Sequence, residues 1–416
     1  MIVYTYTMKD ITGPAVGIVA EYNPLHNGHR LHLAAALARC GDAPCVAVLS
    51  SNFTQRGEPA VVDKWTRTRM ALACGADLVI ELPFVFAVSA APFFSAGAVD
   101  LLVRTRLATH IAFGMEDSTR DVSPILDILI HEPASFKQRL KDELFRGASY
   151  ARAAAGALES LLPGSGVFLS SPNNLLAVSY LLRVQELGGS LTPLPIQRLG
   201  AGHGDAAPGP LTSSLAIRAA LRRGKTSMED GGPVASAVPR TSLSLLRQAK
   251  EEGRLCASGE GLWPMLQAIL IRSGPEDLRG FDGMDEGMEN LFLKRRADSA
   301  GMEDFMARCA SGRYTRARIR RTALRLLAGV DRWSWQAAAR VGVPYARVLG
   351  ANETGRALLR LRAASSSLPL ITRLAAARDP VGRFAARMEF RASSLYEALL
   401  PAPDPRHEER QRPIMT

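Results

Sequence analysis

Gly17-Ile18-Val19-Ala20-Glu21-Tyr22-Asn23-Pro24-Leu25-His26-Asn27-Gly28-His29-Arg30 begins as a short apolar run, breaks at an Asn-Pro turn, and resumes with two histidines flanking a glycine. Leu31, Leu33, Ala34, Leu37 and Ala38 then recur with helical periodicity, so the stretch predicts strand, turn and helix. Such a junction is an anion site, because the first N–H groups of a helix lack partners and carry the positive end of its dipole. His26 and His29 can donate to phosphate oxygens there, and Gly28 leaves room for a nucleotide to lie against the backbone. Two plainer readings stay open on these residues alone. His26, His29 and His32 at helical spacing suit a metal face, and the same residues suit an ordinary capped helix start.

Working outward, the first ~115 residues alternate strand and helix signals. Strands are expected at Val16–Ala20, Cys45–Ser50, Asp77–Leu82 and His110–Gly114, with helices at His29–Arg39, Lys64–Cys74 and Ser95–Arg104. This alternation predicts an α/β, Rossmann-like domain with a parallel sheet, and the continuous apolar strands fit burial on both faces. Ligands in such sheets bind beyond the carboxyl ends of the strands, which here are polar or turn-forming: Glu21-Tyr22-Asn23, Ser50-Ser51-Asn52, Glu81-Leu82-Pro83 and Gly114-Met115-Glu116. A helical stretch follows from Val122 to Leu162, then a helix from Ser171 to Leu187 and a strand at Leu194–Arg198.

The stretch from Ser227 to Thr241, rich in Gly, Pro, Ser and Ala, reads as a linker or mobile loop, and mostly helix is expected beyond it to Leu400. From Pro401 onward, Pro, Asp, Arg and Glu crowd together and predict a disordered tail. The expected division is therefore 1–230, 231–400 and 401–416. Among 416 residues, 47% hydrophobic and 22% charged are ordinary values for a globular protein. The apolar run Leu78–Ala91 is interrupted by Glu81 and Pro83 and falls short of a membrane span, and no signal peptide is evident. Five scattered cysteines without a Cys-x-x-Cys argue for reduced thiols, hence a cytoplasmic setting, and against a zinc ribbon.

A net charge of +11 suggests a polyanionic partner. Arg313, Arg316, Arg318, Arg320 and Arg321 crowd around Tyr314 and precede Leu324, Leu326 and Leu327, as expected of a helix with one buried face and arginines left to meet RNA phosphates. On that helix Arg316 and Arg320 share a face, and that pair is the one expected to dominate. A solvated basic face is the alternative.

Further segments suit phosphate handling. Ser50 to Pro59 is a polar loop offering a guanidinium, hydroxyls and amides. Gly114 can let an adenine or ribose approach the backbone. Ser171 and Pro172 are cap residues, whereas Asn173 and Asn174 in the first turn have amides to spare for a base edge or ribose. Thr212-Ser213-Ser214 with Arg218 one turn on is similar to an element of the His-x-Gly-His nucleotidyltransferases, in which the helix start holds the β- and γ-phosphates.

Glu21–His29, Ser51–Ala60, Lys64–Leu72, Asp77–Pro83 and Ser171–Leu175 resemble the tRNA(Met) cytidine acetate ligases, as do Tyr314–Arg321 and Leu349–Arg356. The resemblance implies activation of acetate by ATP as acetyl-adenylate, followed by acetyl transfer to the wobble cytidine of elongator tRNA(Met). It implies ATP contacts at Val19, Ala20, Glu21, Tyr22, Asn23, Pro24, His26, Gly28, His29, His32, Gly114, one of Asn173 and Asn174, and Arg198. His26 and His29 are the expected catalytic pair, with Ser213, Ser214, Arg218 and Mg²⁺ assisting and no protein metal site. The chain departs from the family at Ser51, usually glycine, at Met115, usually serine, and at His203, usually tyrosine. Two other readings share the motif: a small-molecule nucleotidyltransferase of cofactor synthesis, and a non-catalytic RNA-binding protein that senses ATP.

Overall fold

The computed structural model describes residues 9–198, 213–223 and 228–416; His203 and Thr212 lie outside them, as does Ser227. β1 (Val16–Ala20), β2 (Cys45–Ser50), β3 (Leu78–Leu82), β4 (His110–Met115) and β5 (Thr192–Gln197) lie parallel in the order β5-β4-β1-β2-β3. The chain steps outward from β1 through β2 to β3, then returns to the other side of β1 for β4. That reversal opens a crevice beyond the carboxyl ends of β1 and β4, where a ligand of a doubly wound sheet binds.

β2 and β3 are buried throughout, because side chains alternate between two apolar layers. Val46, Val48, Leu78 and Ile80 face one layer with Ala98 and Leu102 of the Ala91–Thr105 helix and Ala177 of the Pro172–Glu186 helix. Ala47, Leu49 and Ile18 face the other with Leu33 of the Asn27–Ala38 helix and Met70 of the Lys64–Ala73 helix. A third core, around Trp263, Leu266, Phe292, Phe305 and Ile319, is built mostly from helices of the second half.

The second half is not purely helical. β6 (Ala346–Ala351) adds antiparallel to β3, and β7 (Leu370–Ile371) and β8 (Ile414–Met415) pair with β6, so the sheet crosses the boundary expected near 230. Every residue of β6 is buried, which removes the in–out alternation that betrays a strand in sequence. The expected linker instead contains a helix, Pro233–Ala237, that buries Val234 and Ala237.

The tail is not disordered. Residues 401–416 carry a helix turn, His407–Arg410, and β8, and Glu408 and His407 are tied to buried partners described below. Among the described residues, no helix is long and apolar enough to cross a membrane.

Candidate nucleotide site

The His-x-Gly-His turn lies at the carboxyl end of β1. His26 is the N-cap of the Asn27–Ala38 helix: its Nδ1 accepts from the Gly28 N–H at 3.1 Å, while His29 Nδ1 accepts from the His26 N–H at 3.3 Å. Each Nδ1 is therefore an unprotonated acceptor, which places the one proton of each neutral imidazole on Nε2. The rings stack at 3.7 Å between centroids, and Tyr22 stands edge-on to His29 at 5.1 Å. Burial, reinforced by the nearby Arg198 and Arg218 guanidiniums, pushes the His26 pKa down to about 4. Burial, then His26, His32 and Arg198, holds His29 well below the ordinary value. His32 is held at about 4 by burial and Arg198, against a hydrogen bond to the Phe113 backbone, and among the described residues its buried Nε2 has no hydrogen-bond partner. The capping reading is correct as geometry, and it leaves two neutral Nε2–H donors beside the helix N-terminus. A Cβ on Gly28 would stand 3.0 Å from His26 Cε1, so the glycine permits the cap.

Val19 and Ala20 finish β1, and the turn is fixed from both sides. Glu21 accepts from the Gln55 N–H at 2.5 Å, and burial raises its pKa. The Asn23 side chain accepts from the Val61 N–H at 2.8 Å, and Asn23-Pro24 is a cis peptide. Among the described residues, no carboxylate forms an ion pair with the fully buried Arg67. It donates to the carbonyls of Glu21 at 2.7 Å and Val62 at 3.2 Å, to Ser50 Oγ at 3.2 Å, and to the Ser51 carbonyl. One planar guanidinium thus fixes the ends of β1 and β2 to each other.

Across the crevice, Arg198 follows β5 and pairs with Glu116 at 3.2 Å. Gly114 leaves space for it, since a Cβ there would meet Arg198 Cγ at 3.1 Å. The two asparagines separate. Asn174 is buried, accepting from the Glu116 N–H at 2.9 Å and donating to the Phe168 carbonyl at 3.0 Å, so its amide is committed to the fold. Asn173 donates to the Glu116 carboxylate at 2.8 Å on the exposed side, beside Arg198. Met115 is buried in the core, so this departure from the family pattern points away from the crevice.

Ser213 caps the Ser214–Arg223 helix, its Oγ accepting from the Ala216 N–H at 3.3 Å. One turn later, Arg218 donates to the Asn23 carbonyl and to Glu58 Oε2, each at 3.1 Å. His26, His29, Arg198 and Arg218 therefore converge on the first helix N-terminus. Among the described residues no group of three or more His, Cys, Asp or Glu is placed to hold a metal ion.

Several residues escaped the sequence reading, although Lys64 and Glu81 lie in the quoted family blocks. Lys64, Glu81, Glu389, Glu408 and Arg347 form a buried ionic cluster beneath the loop. Lys64 Nζ reaches Glu389 at 2.7 Å, Glu408 at 3.1 Å and also Glu81, while Arg347 reaches Glu81 at 3.1 Å and also Glu408. Burial opposes the lysine charge, but the three carboxylates hold its pKa above the usual value. Burial and Glu81 push Glu389 up to about 7. Asp63, the N-cap of the Lys64–Ala73 helix, binds Arg254 at 3.2 Å and His407 at 3.1 Å, which fastens the tail.

The arginine cluster opens the Arg316–Ala328 helix, as expected, but acids occupy it. Arg313 pairs with Glu286 at 3.4 Å, Arg316 with Glu303 at 2.6 Å, and Arg318 with Glu286 at 3.1 Å. Arg320 bridges Glu58 at 3.0 Å and Glu303 at 3.1 Å with only 15% of its side chain exposed. Arg321 donates to the Gln55 carbonyl at 3.3 Å, and burial pushes its pKa down to about 10. Arg316 and Arg320 do share a face, but Arg320 and Arg321 point inward and clamp the 51–60 loop.

The profile of the HIGH nucleotidyl transferase family matches residues 14–412. The tRNA(Met) cytidine acetate ligase of Acetivibrio thermocellus is 36% identical over 392 residues, covering 92% of this chain and 94% of that protein. The enzyme of the same name from Lysinibacillus sphaericus is 38% identical over 371 residues, covering 88% and 90%. The crystal structure of Thermotoga maritima TmcAL bound with alpha-thio ATP superposes with a TM-score of 0.88 at 30% identity, covering 97% of this chain and 99% of that one. With the signature turn, the sheet order and near-complete coverage in agreement, the chain belongs to the tRNA(Met) cytidine acetate ligase family of HIGH nucleotidyl transferases.

Proposed function

We propose that this chain is an ATP-dependent ligase that activates acetate and acetylates the wobble cytidine of elongator tRNA(Met). The observation that carries the reading is the pair of neutral imidazoles with Nε2–H directed away from their caps, beside a helix N-terminus and between Arg198 and Arg218. A neutral donor suits this chemistry. An acetate oxygen attacks the α-phosphorus, the bond to the β-phosphate breaks, and pyrophosphate leaves with the charge. The protein's task is to position the groups and to stabilise charge on phosphate oxygens, with no covalent intermediate of its own. His26 and His29 donate to the α- and β-phosphate oxygens, and Arg218 and Arg198 neutralise the triphosphate.

Glu58 and Glu116 hold these arginines in place of phosphate, and ATP exchanges a carboxylate for a phosphoryl oxygen at each. Among the described residues, Glu21, Glu58 and Glu116 are each engaged with a guanidinium or an amide; a Mg²⁺ ion would arrive on the triphosphate, and no step is assigned to it. In the second half-reaction the cytidine amine attacks the acetyl carbonyl, its bond to AMP breaks, and the amine loses a proton. The base must be presented unstacked, as single-stranded anticodon bases are.

Incubation of the protein with ATP, labelled acetate and an elongator tRNA(Met) transcript tests this, with mass analysis of the anticodon fragment. Label on the wobble cytidine, dependent on both ATP and acetate, is expected. Adenylyl transfer to a small acceptor, or RNA binding without label, would replace this reading with one of its two rivals.

A further inference from the structure

The chain carries eleven more positive than negative charges, yet the most arginine-dense segment is neutralised by Glu58, Asp285, Glu286 and Glu303. The unpaired charge lies elsewhere. On the Pro380–Glu397 helix, Arg383, Arg387 and Arg391 recur every fourth residue, and all three are exposed. Among the described residues no carboxylate forms an ion pair with any of them; Arg383 and Arg391 reach only the carbonyls of Arg378 and Ala328.

The opposite face of the same helix is committed to the catalytic half. Glu389 holds Lys64 and the Phe84 N–H, and Tyr396 Oη donates to the Ala60 carbonyl at 2.9 Å, beneath the loop that Arg218 and Arg320 reach through Glu58. The helix is thus a rigid bar. One side fixes the site loop, and the other carries three arginines whose backbone positions lie ~6 Å apart along the axis, from four residues of ~1.5 Å rise. Beside it packs the Arg332–Val341 helix, at whose start Trp333 is 76% exposed. Guanidiniums in a row without carboxylate partners, on a helix packed against one that begins with an exposed aromatic ring, suit a nucleic-acid backbone and an unstacked base.

We propose that Arg383, Arg387 and Arg391 are the tRNA-phosphate contacts of this chain, and that the Arg313–Arg321 cluster is an internal brace. The proposal rests on tRNA being the acceptor, and the experiment separates the two. Binding of an elongator tRNA(Met) transcript is measured against salt concentration for wild type, for an R383A/R387A/R391A variant and for an R313A/R316A variant. The first variant is expected to flatten the log–log salt dependence by about 2–3 units, at 0.7–0.9 per lost contact. It should form acetyl-adenylate at the wild-type rate, showing that it is folded. An R383K/R387K/R391K variant, which keeps the charges, should bind nearly as wild type, and R313A/R316A should retain the slope. A wild-type slope in R383A/R387A/R391A overturns the proposal while leaving tRNA acetylation standing. Absence of tRNA binding and acetylation by the wild type overturns both.

Discussion

Replacement of Lys64 by methionine removes the central cation of the buried cluster while keeping the length of its side chain. Glu81, Glu389 and Glu408 would then face Arg347 alone, in a site with no solvent to share the charge. Removing one partner of a buried ion pair costs about 3–5 kcal/mol, because the other charge is left uncompensated. Unfolding entropy of ~2.1 cal/mol/K per residue over this chain gives about 0.9 kcal/mol/K, so the melting temperature should fall by about 3–6 °C. The pH dependence has a definite sign. Glu389 binds its proton more tightly folded, at about 7, than unfolded, near the ordinary value of 4.5. The stability that this contributes is present below 4.5 and lost as pH rises through 7. Without Lys64 the carboxylates need protons still more, so the deficit of Lys64→Met should be largest at pH 8 and shrink toward pH 5.5. Differential scanning calorimetry of both proteins at those two values decides it. A melting temperature at pH 8 within 1 °C of wild type, or a deficit that grows on acidification, would refute the reasoning.

His29→Ala removes one neutral Nε2–H donor and should slow acetyl-adenylate formation by ~10²–10³-fold with the fold intact, measured by single-turnover release of pyrophosphate. The asparagines should divide: Asn173→Ala and Arg198→Ala should weaken ATP binding in calorimetric titration. Asn174→Ala should instead lower stability, by ~1–3 kcal/mol for its two buried bonds, through denaturant unfolding. Because burial keeps His26 at about 4 and His29 also neutral, the adenylation rate should not rise as pH falls from 8 to 6.5, as a rate profile will show. Unfolded imidazoles take up protons near 6.5 while these do not, so acidification from 6.5 toward 4 should destabilise wild type more than His29→Gln.

Of the five parallel strands, β1 to β4 were legible to within a residue, since strands buried on both faces appear as uninterrupted apolar runs between turns, whereas the more exposed edge strand β5 begins two residues before the expected start. The signature turn was legible because its chemistry is local: cap, glycine and donors lie within one helical turn. β6 was not, because a buried six-residue run between helices carries no period of its own. The arginine cluster was visible, but its neutralisation depends on Glu58, Asp285, Glu286 and Glu303, whose approach only the fold determines. The tail failed for the same reason. Its polar composition suggests disorder until Lys64 and Arg347 supply the cations that Glu408 needs. Which of Asn173 and Asn174 is buried turned on which face of one helical turn meets Phe168, and no sequence pattern reports that.

Exchange of labelled pyrophosphate into ATP, with acetate present and tRNA omitted, tests the central claim most directly. It reads the reversal of acetyl-adenylate formation at the His26–His29 site and nothing else. The account predicts exchange that depends on acetate, persists without tRNA, and falls by ~10²–10³-fold in His29→Ala. Exchange that ignores acetate, or that survives unchanged in His29→Ala, would contradict it.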